Sequence, residues 1–259
     1  MISLLIALAA AQSAPPPTAS AGDAARFQSC TALVKSQPEN GVASANDWLL
    51  KGGGLLARQC LGLGYTALQR WAPAAAAFEQ AAREAETKKD ARAADFWVQS
   101  GNAWLAAGDG AKAKAALDAA LATTSLTPEL RGEVHFDRAR AAVQLGDPAA
   151  ARLDVDQGLK LVPADPFGWY LSSALALREG NAARAKEDIA KALSLAPNDA
   201  DLLLQAGNVA GAAGDEEAAR TFYTQAVGSA PGSPAARAAE AALAANAAPK
   251  PPGVASPAK

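Results

Sequence analysis

His135 is the only histidine in the chain, and histidine is the side chain whose ordinary titration best suits a general base near neutral pH. Such a base works with a nucleophile and an orienting partner, and no motif around His135 supplies either. The sequence holds no G-x-S-x-G, no H-E-x-x-H and no dinucleotide glycine pattern. A lone His without a second His or a Cys at ligand spacing makes no zinc site. Glu79, Glu84 and Glu86 crowd one stretch, where the solvated face of a helix accounts for them. Lys51 followed by Gly52, Gly53 and Gly54 lacks the Walker spacing and its Ser/Thr, so a turn between helices explains it better than a phosphate cradle. The chain reads as non-enzymatic, with no cofactor and no metal.

Cys30 and Cys60 are the only cysteines. Two readings are open: a disulfide, if the chain is exported, or two reduced residues packing as small apolar side chains. Export is itself an expectation from the first residues. Met1 to Ala11 reads MISLLIALAAA, too short an apolar run to span a bilayer and about the length of a signal-peptide core. Small residues at Ala9 and Ala11, and again at Ala19 and Ala21, offer cleavage after Ala11 or after Ala21. The expected compartment is the periplasm of a bacterium, with no membrane span.

The elements that would position any binding residues announce themselves by a repeat. Gly108-Asp109, Gly146-Asp147, Gly180-Asn181 and Gly214-Asp215 follow one another at 38, 34 and 34 residues. Each pair ends one helix-like stretch and begins an Ala-rich one. Gly accepts the left-handed conformation that closes a helix, and Asp or Asn caps the next. A 34-residue period of two helices marks a helical repeat array. With the pairs at positions 15 and 16, four units begin at Ala94, Gly132, Pro166 and Ala200. A fifth, without the glycine turn, begins at Leu55. Position 20 is then Ala74, Ala113, Ala151, Ala185 and Ala219, and position 24 is Phe78, Leu117, Val155, Ile189 and Tyr223. Small residues let helices approach, and a larger apolar residue fills the gap beside them. Pro163, Pro197 and Pro231 stop the second helices of the last three units.

Leu61-Gly62-x-x-Tyr65 with Ala74, Phe78 and Ala81, then Trp97, Gly101, Trp104, Ala113 and Ala120, then Trp169, Ala185, Ala192 and Pro197 resemble the tetratricopeptide repeat family, in an exported bacterial form. The resemblance covers 55–233 and implies an all-α fold, an α-solenoid of about five antiparallel helix pairs. Around it the expected organisation is a signal peptide and leader at 1–21, an N-terminal helical cap at 22–54, a capping helix at 234–246 and a disordered Pro/Ala tail at 247–259. The sequence departs from the family pattern at position 11, where Ala142, Ala176 and Ala210 replace an aromatic, and at position 7, where Arg138 is charged.

In that family positions 2, 5, 9, 12 and 13 of each first helix line a concave groove. Carried onto this chain, the resemblance gives Asn102, Phe136, Arg140, Tyr170, Arg178 and Asn208 as groove candidates. Asn102 and Asn208 would pair with a peptide backbone, Arg140 and Arg178 would hold a carboxylate, and Phe136 and Tyr170 would seat an apolar side chain. Gln59 and Leu63 stand where a known charged clamp of the family needs Lys and Asn, so that particular partner is not expected. The 24 basic and 26 acidic residues nearly cancel, with no long run of either sign, which argues against nucleic acid. The implied function is a non-catalytic scaffold of the cell envelope that binds a protein or an extended peptide. The alternative is a structural or oligomerising subunit that uses its ends and convex face.

Overall fold

The computed structural model describes residues 21–247. The apolar start with its first cleavage position, and the Pro/Ala tail from 248 onward, lie outside the described residues. Among the described residues the chain forms thirteen α-helices and no strand, in two units divided after Pro163.

The N-terminal unit holds α1 (Ala21–Ser36), α2 (Pro38–Leu50), α3 (Gly54–Ala67), α4 (Trp71–Thr87), α5 (Ala93–Ala106), α6 (Gly110–Ala122), α7 (Pro128–Gln144) and α8 (Pro148–Leu161). Each helix packs on the next, and α5 also touches α7. The turns follow from their residues. Gly108 and Gly146 sit at φ 77° and 74°. Asp109 and Asp147 then accept hydrogen bonds from the amides of Lys112 and Ala150, capping α6 and α8. The first repeat makes the same turn without glycine: Gln69 takes φ 55°, a left-handed conformation costly for a side chain with a β-carbon.

Small-on-large packing holds each pair. A β-carbon on Gly62 would come within 2.6 Å of the Phe78 ring, and one on Gly101 within 2.6 Å of Leu117. Ala74, Ala113 and Ala151 have no exposed surface. At the start of the unit, α1 packs on both α2 and α3, and a disulfide between Cys30 and Cys60 ties α1 to α3 with Cα atoms 6.3 Å apart. Val34, Ala45, Phe27, Leu61 and Leu63 surround it. Thus α1 and α2 form a further helix pair packed on the first repeat.

The C-terminal unit holds α9 (Pro166–Arg178), α10 (Ala182–Leu195), α11 (Ala200–Ala212), α12 (Glu216–Ser229) and α13 (Pro234–Ala247). Asn181 and Asp215 cap α10 and α12 through the amides of Arg184 and Ala218. Its core joins Tyr170, Ile189 and Leu202 to Ala176, Ala185 and Ala192. Ala235, Ala236 and Ala239 bury one face of α13, which packs on α12 and α11.

Candidate functional site

His135 is part of the helix packing. Its Nδ1 lies 2.8 Å from Oδ1 of Asp154, a buried side chain on α8. Arg138 donates to both oxygens of Asp154, at 2.9 and 2.6 Å, and to Asp118 of α6 at 2.7 Å. Burial alone would raise the Asp154 pKa, but the hydrogen bonds from His135 and Arg138 outweigh it and hold the carboxyl below its ordinary value. The charged residue at position 7 is therefore a lock across α6, α7 and α8. The C-terminal unit repeats the device in other residues: Ser172 of α9 donates to the buried Asp188 of α10, which Arg184 also approaches. Both aspartates stand at position 23. Sequence reasoning passed over them, because an Asp on a helix reads as solvated. The usable signal was Arg138, a cation at an apolar position that demanded a buried partner.

In the N-terminal unit, α5 and α7 carry Asn102, Asp137 and Arg140. Arg140 donates to Oδ1 of Asp137 at 2.8 Å, and Asn102 of α5 favours the charge of the same carboxyl. Burial pushes the Asp137 carboxyl up from its ordinary value, against Arg140 and Asn102, which favour the charge. The Asn102 Oδ1 is itself buried and has no hydrogen-bond partner among the described residues. One turn further on, Gln144 donates to the carbonyl of Leu105 at 3.0 Å. Asp137 was not among the expected groove residues.

The structure places two of the expected residues as follows. Phe136 is 1% exposed, with its ring pressed against Gly158 of α8. Arg140 is paired with Asp137 of its own helix.

In the C-terminal unit, Phe167, Tyr170, Leu171, Ala174 and Leu177 recur along one stripe of α9 at helical spacing. The Phe167 and Tyr170 rings stack with centroids 6.1 Å apart and planes 16° apart. Tyr170 is buried, while Phe167, Leu171, Ala174 and Leu177 are half-buried and Arg178 is exposed. On α11, Asn208 is exposed, and its Oδ1 accepts a hydrogen bond from the Tyr223 hydroxyl at 3.0 Å. That bond orients the amide and leaves its N–H groups as the available donors. Arg140 and Arg178 belong to different units and form no clamp within either.

Among the described residues, no group of His, Cys, Asp and Glu is arranged to hold a metal ion, and no helix is long and apolar enough to cross a membrane.

Residues 168–199 and 200–233 match the family model described as tetratricopeptide repeat. No curated protein matches the chain in sequence. Among solved structures, PilW, a widely conserved type IV pilus biogenesis factor, is 21% identical over 85% of this chain and 98% of its own, with a TM-score of 0.68. PilF of Pseudomonas aeruginosa is 18% identical over 85% of this chain and 97% of its own, at 0.63. TTC0263, a tetratricopeptide protein of Thermus thermophilus, is 18% identical over 74% and 98%, at 0.59. At such identities the likeness is one of fold. Residues 168–233 thus match the tetratricopeptide repeat model, and the paired helices and capped Gly-Asp turns that precede them share the tetratricopeptide-like solenoid fold of these structures.

Proposed function

We propose that this protein is a non-catalytic scaffold of the bacterial cell envelope that binds an extended peptide or partner protein along the groove-side faces of its first helices. The observation that carries this is the face of α9. A half-buried apolar stripe ends there in Arg178, which makes no hydrogen bond or ion pair with any described residue. An apolar strip with a cation at one end offers both surface to bury and a charge to satisfy. The exposed amide of Asn208 adds a donor for a peptide carbonyl. That YrrB is described as a tetratricopeptide protein with an unusual peptide-binding site supports peptide binding here. PilW's role as a pilus biogenesis factor supports an envelope location, as does the Cys30–Cys60 disulfide, a bond characteristic of oxidising compartments.

The test is crosslinking of the tagged protein in its native cell, followed by titration of the recovered partner against Arg178→Ala. Weakened binding with unchanged helicity is expected. Undiminished binding would remove the groove of the C-terminal unit from the interaction.

A second reading, a structural subunit that uses its convex face, is favoured by α8, where Leu153 and Leu161 are 68% and 37% exposed. Binding that survives Arg178→Ala and fails in Leu153→Glu would select it.

A further inference from the structure

We propose that Asp137 sets the charge selectivity of the face formed by α5 and α7: while ionised it occupies Arg140 and closes that face to anionic segments. The inference rests on the groove reading above and concerns how that groove is regulated.

Three features converge. First, Asp137 lies within hydrogen-bond reach of Arg140, at 2.8 Å, and both side chains are largely shielded, at 14% and 23% exposed. A carboxylate from outside would have to displace this one, which is already in place and pays no cost of association. Second, the Asn102 side chain of the neighbouring helix favours the charged form of Asp137, which supports its pairing with Arg140. Third, Asn102 leaves its Oδ1 buried without a partner among the described residues, which is unfavourable for a buried acceptor. A protonated Asp137 would carry an O–H donor beside that acceptor. With the Asn102 amide turned over, the O–H would bond the orphaned oxygen. The proton comes from solvent, and the guanidinium of Arg140 is released with its charge intact.

The elements packed on α7 do not compete for Asp137. On α5, Asp95 lies in the fields of Arg92 and Asp90. Asp118 of α6 and Asp154 of α8 both engage Arg138 instead, and His135 bonds Asp154. Lys114 is taken by Asp118. Arg140 is the cation paired with Asp137. The release is therefore a two-residue event, driven by acidification or by any donor that neutralises Asp137.

The test needs no partner. The Arg140 Nε–H resonance, identified by its loss in Arg140→Ala, is followed in the full chain during titration with sodium acetate, a minimal carboxylate. At neutral pH acetate should barely move it in the wild type. In Asp137→Asn, which keeps an oxygen for Asn102 and removes the charge, acetate should bind Arg140 on the order of tenfold more tightly. Equal response in the two proteins, or no response in either, overturns the proposal. Should Asp137→Asn not fold, the wild type decides alone. The Arg140 resonance must shift with the same midpoint as the Asp137 carboxyl, and an Arg140 signal indifferent to that titration overturns the proposal. Failure here leaves the Arg178 titration unaffected, so the two readings fall separately.

Discussion

The ring of Phe136 lies so close over the α-carbon of Gly158 that a β-carbon there would collide with the ring edge. In the first, second and fifth repeats the small residue is on the first helix and the large one on the second: Gly62 under Phe78, Gly101 under Leu117, Gly207 under Tyr223. In the third repeat a close contact also falls at other positions: α7 brings the bulk of Phe136 and α8 makes room for it at Gly158. Gly158→Ala should therefore destabilise the protein by about 1–3 kcal/mol. A double-mutant cycle with Phe136→Leu should recover much of the loss, because the two side chains contend for one volume. Additive effects in thermal melts would contradict the packing.

Ala151 and Ala185 are fully buried within their helix pairs. Ala151→Leu and Ala185→Leu should each cost ~1–3 kcal/mol by forcing the pair apart. Melting temperatures equal to the wild type for both would show the register to be misassigned.

The buried aspartate of the third repeat gives stability a pH dependence of defined sign. Hydrogen bonds to His135 and Arg138, against the effect of burial, hold the Asp154 carboxyl below its ordinary value. Its contribution is complete above the ordinary carboxylate range. It is lost as pH falls through that range toward the depressed folded value, where the unfolded chain takes up its proton first. Asp137 acts oppositely. Burial raises its carboxyl, so its ionisation works against folding as pH rises from the ordinary value through the raised one. Urea melts across acidic pH should show a shallower acid limb for Asp154→Asn. For Asp137→Asn the stability gained relative to wild type should grow with pH over that upper window.

Removing the bridge between α1 and α3 should loosen the start of the chain. Cys30 and Cys60 are 30 residues apart in sequence, and a loop of this kind is worth about 2–4 kcal/mol. Hydrogen exchange on Cys60→Ala should find faster exchange in α1 and α2 and little change from α5 to α8. Uniform acceleration along the unit would mean that the first helix pair is not a separable element.

At the groove, Arg178→Ala should weaken binding of a recovered partner by ~1.5–3 kcal/mol, less if the site is wet. The effect should shrink as salt rises, since exposed charges are screened over about 8 Å at physiological ionic strength. Arg140→Ala should matter less at neutral pH, because Asp137 holds that guanidinium. Arg152, on the second helix of its repeat, is the control. Isothermal titration of the three variants separates these cases, and a loss at Arg152 as large as at Arg178 would put the contact outside the groove.

The fold was legible because the turns carry their own chemistry. A left-handed Gly followed by a capping Asp or Asn marks a helix end and a helix start in two letters, and the structure has them at Gly108, Gly146, Gly180 and Gly214. The turn at Gln69 has no such letters and was placed only through Gly62, Ala74 and Phe78. The site was less legible. Groove positions were transferred by register, and register cannot tell which of two helices supplies the bulk. Gly158, in a column of alanines, was the trace of the space that takes Phe136 into the core. Arg140 was found but not its keeper, since Asp137 lies off the transferred positions and its engagement depends on a helix distant in sequence.

The aspartates at position 23 bear on a problem peculiar to arrays. Alanine facing alanine is the same surface in every pair, so it cannot distinguish a helix from its counterpart two helices away. Asp154 and Asp188 break that equivalence. If α8 took α5 as its mate, Asp154 would meet Ser100, and the guanidinium that satisfies it would be gone, because Arg138 belongs to α7. A buried carboxylate deprived of its cation is strongly disfavoured. The lock thus works as an address, written in charge on helices otherwise nearly interchangeable, that tells α8 which neighbour is its own.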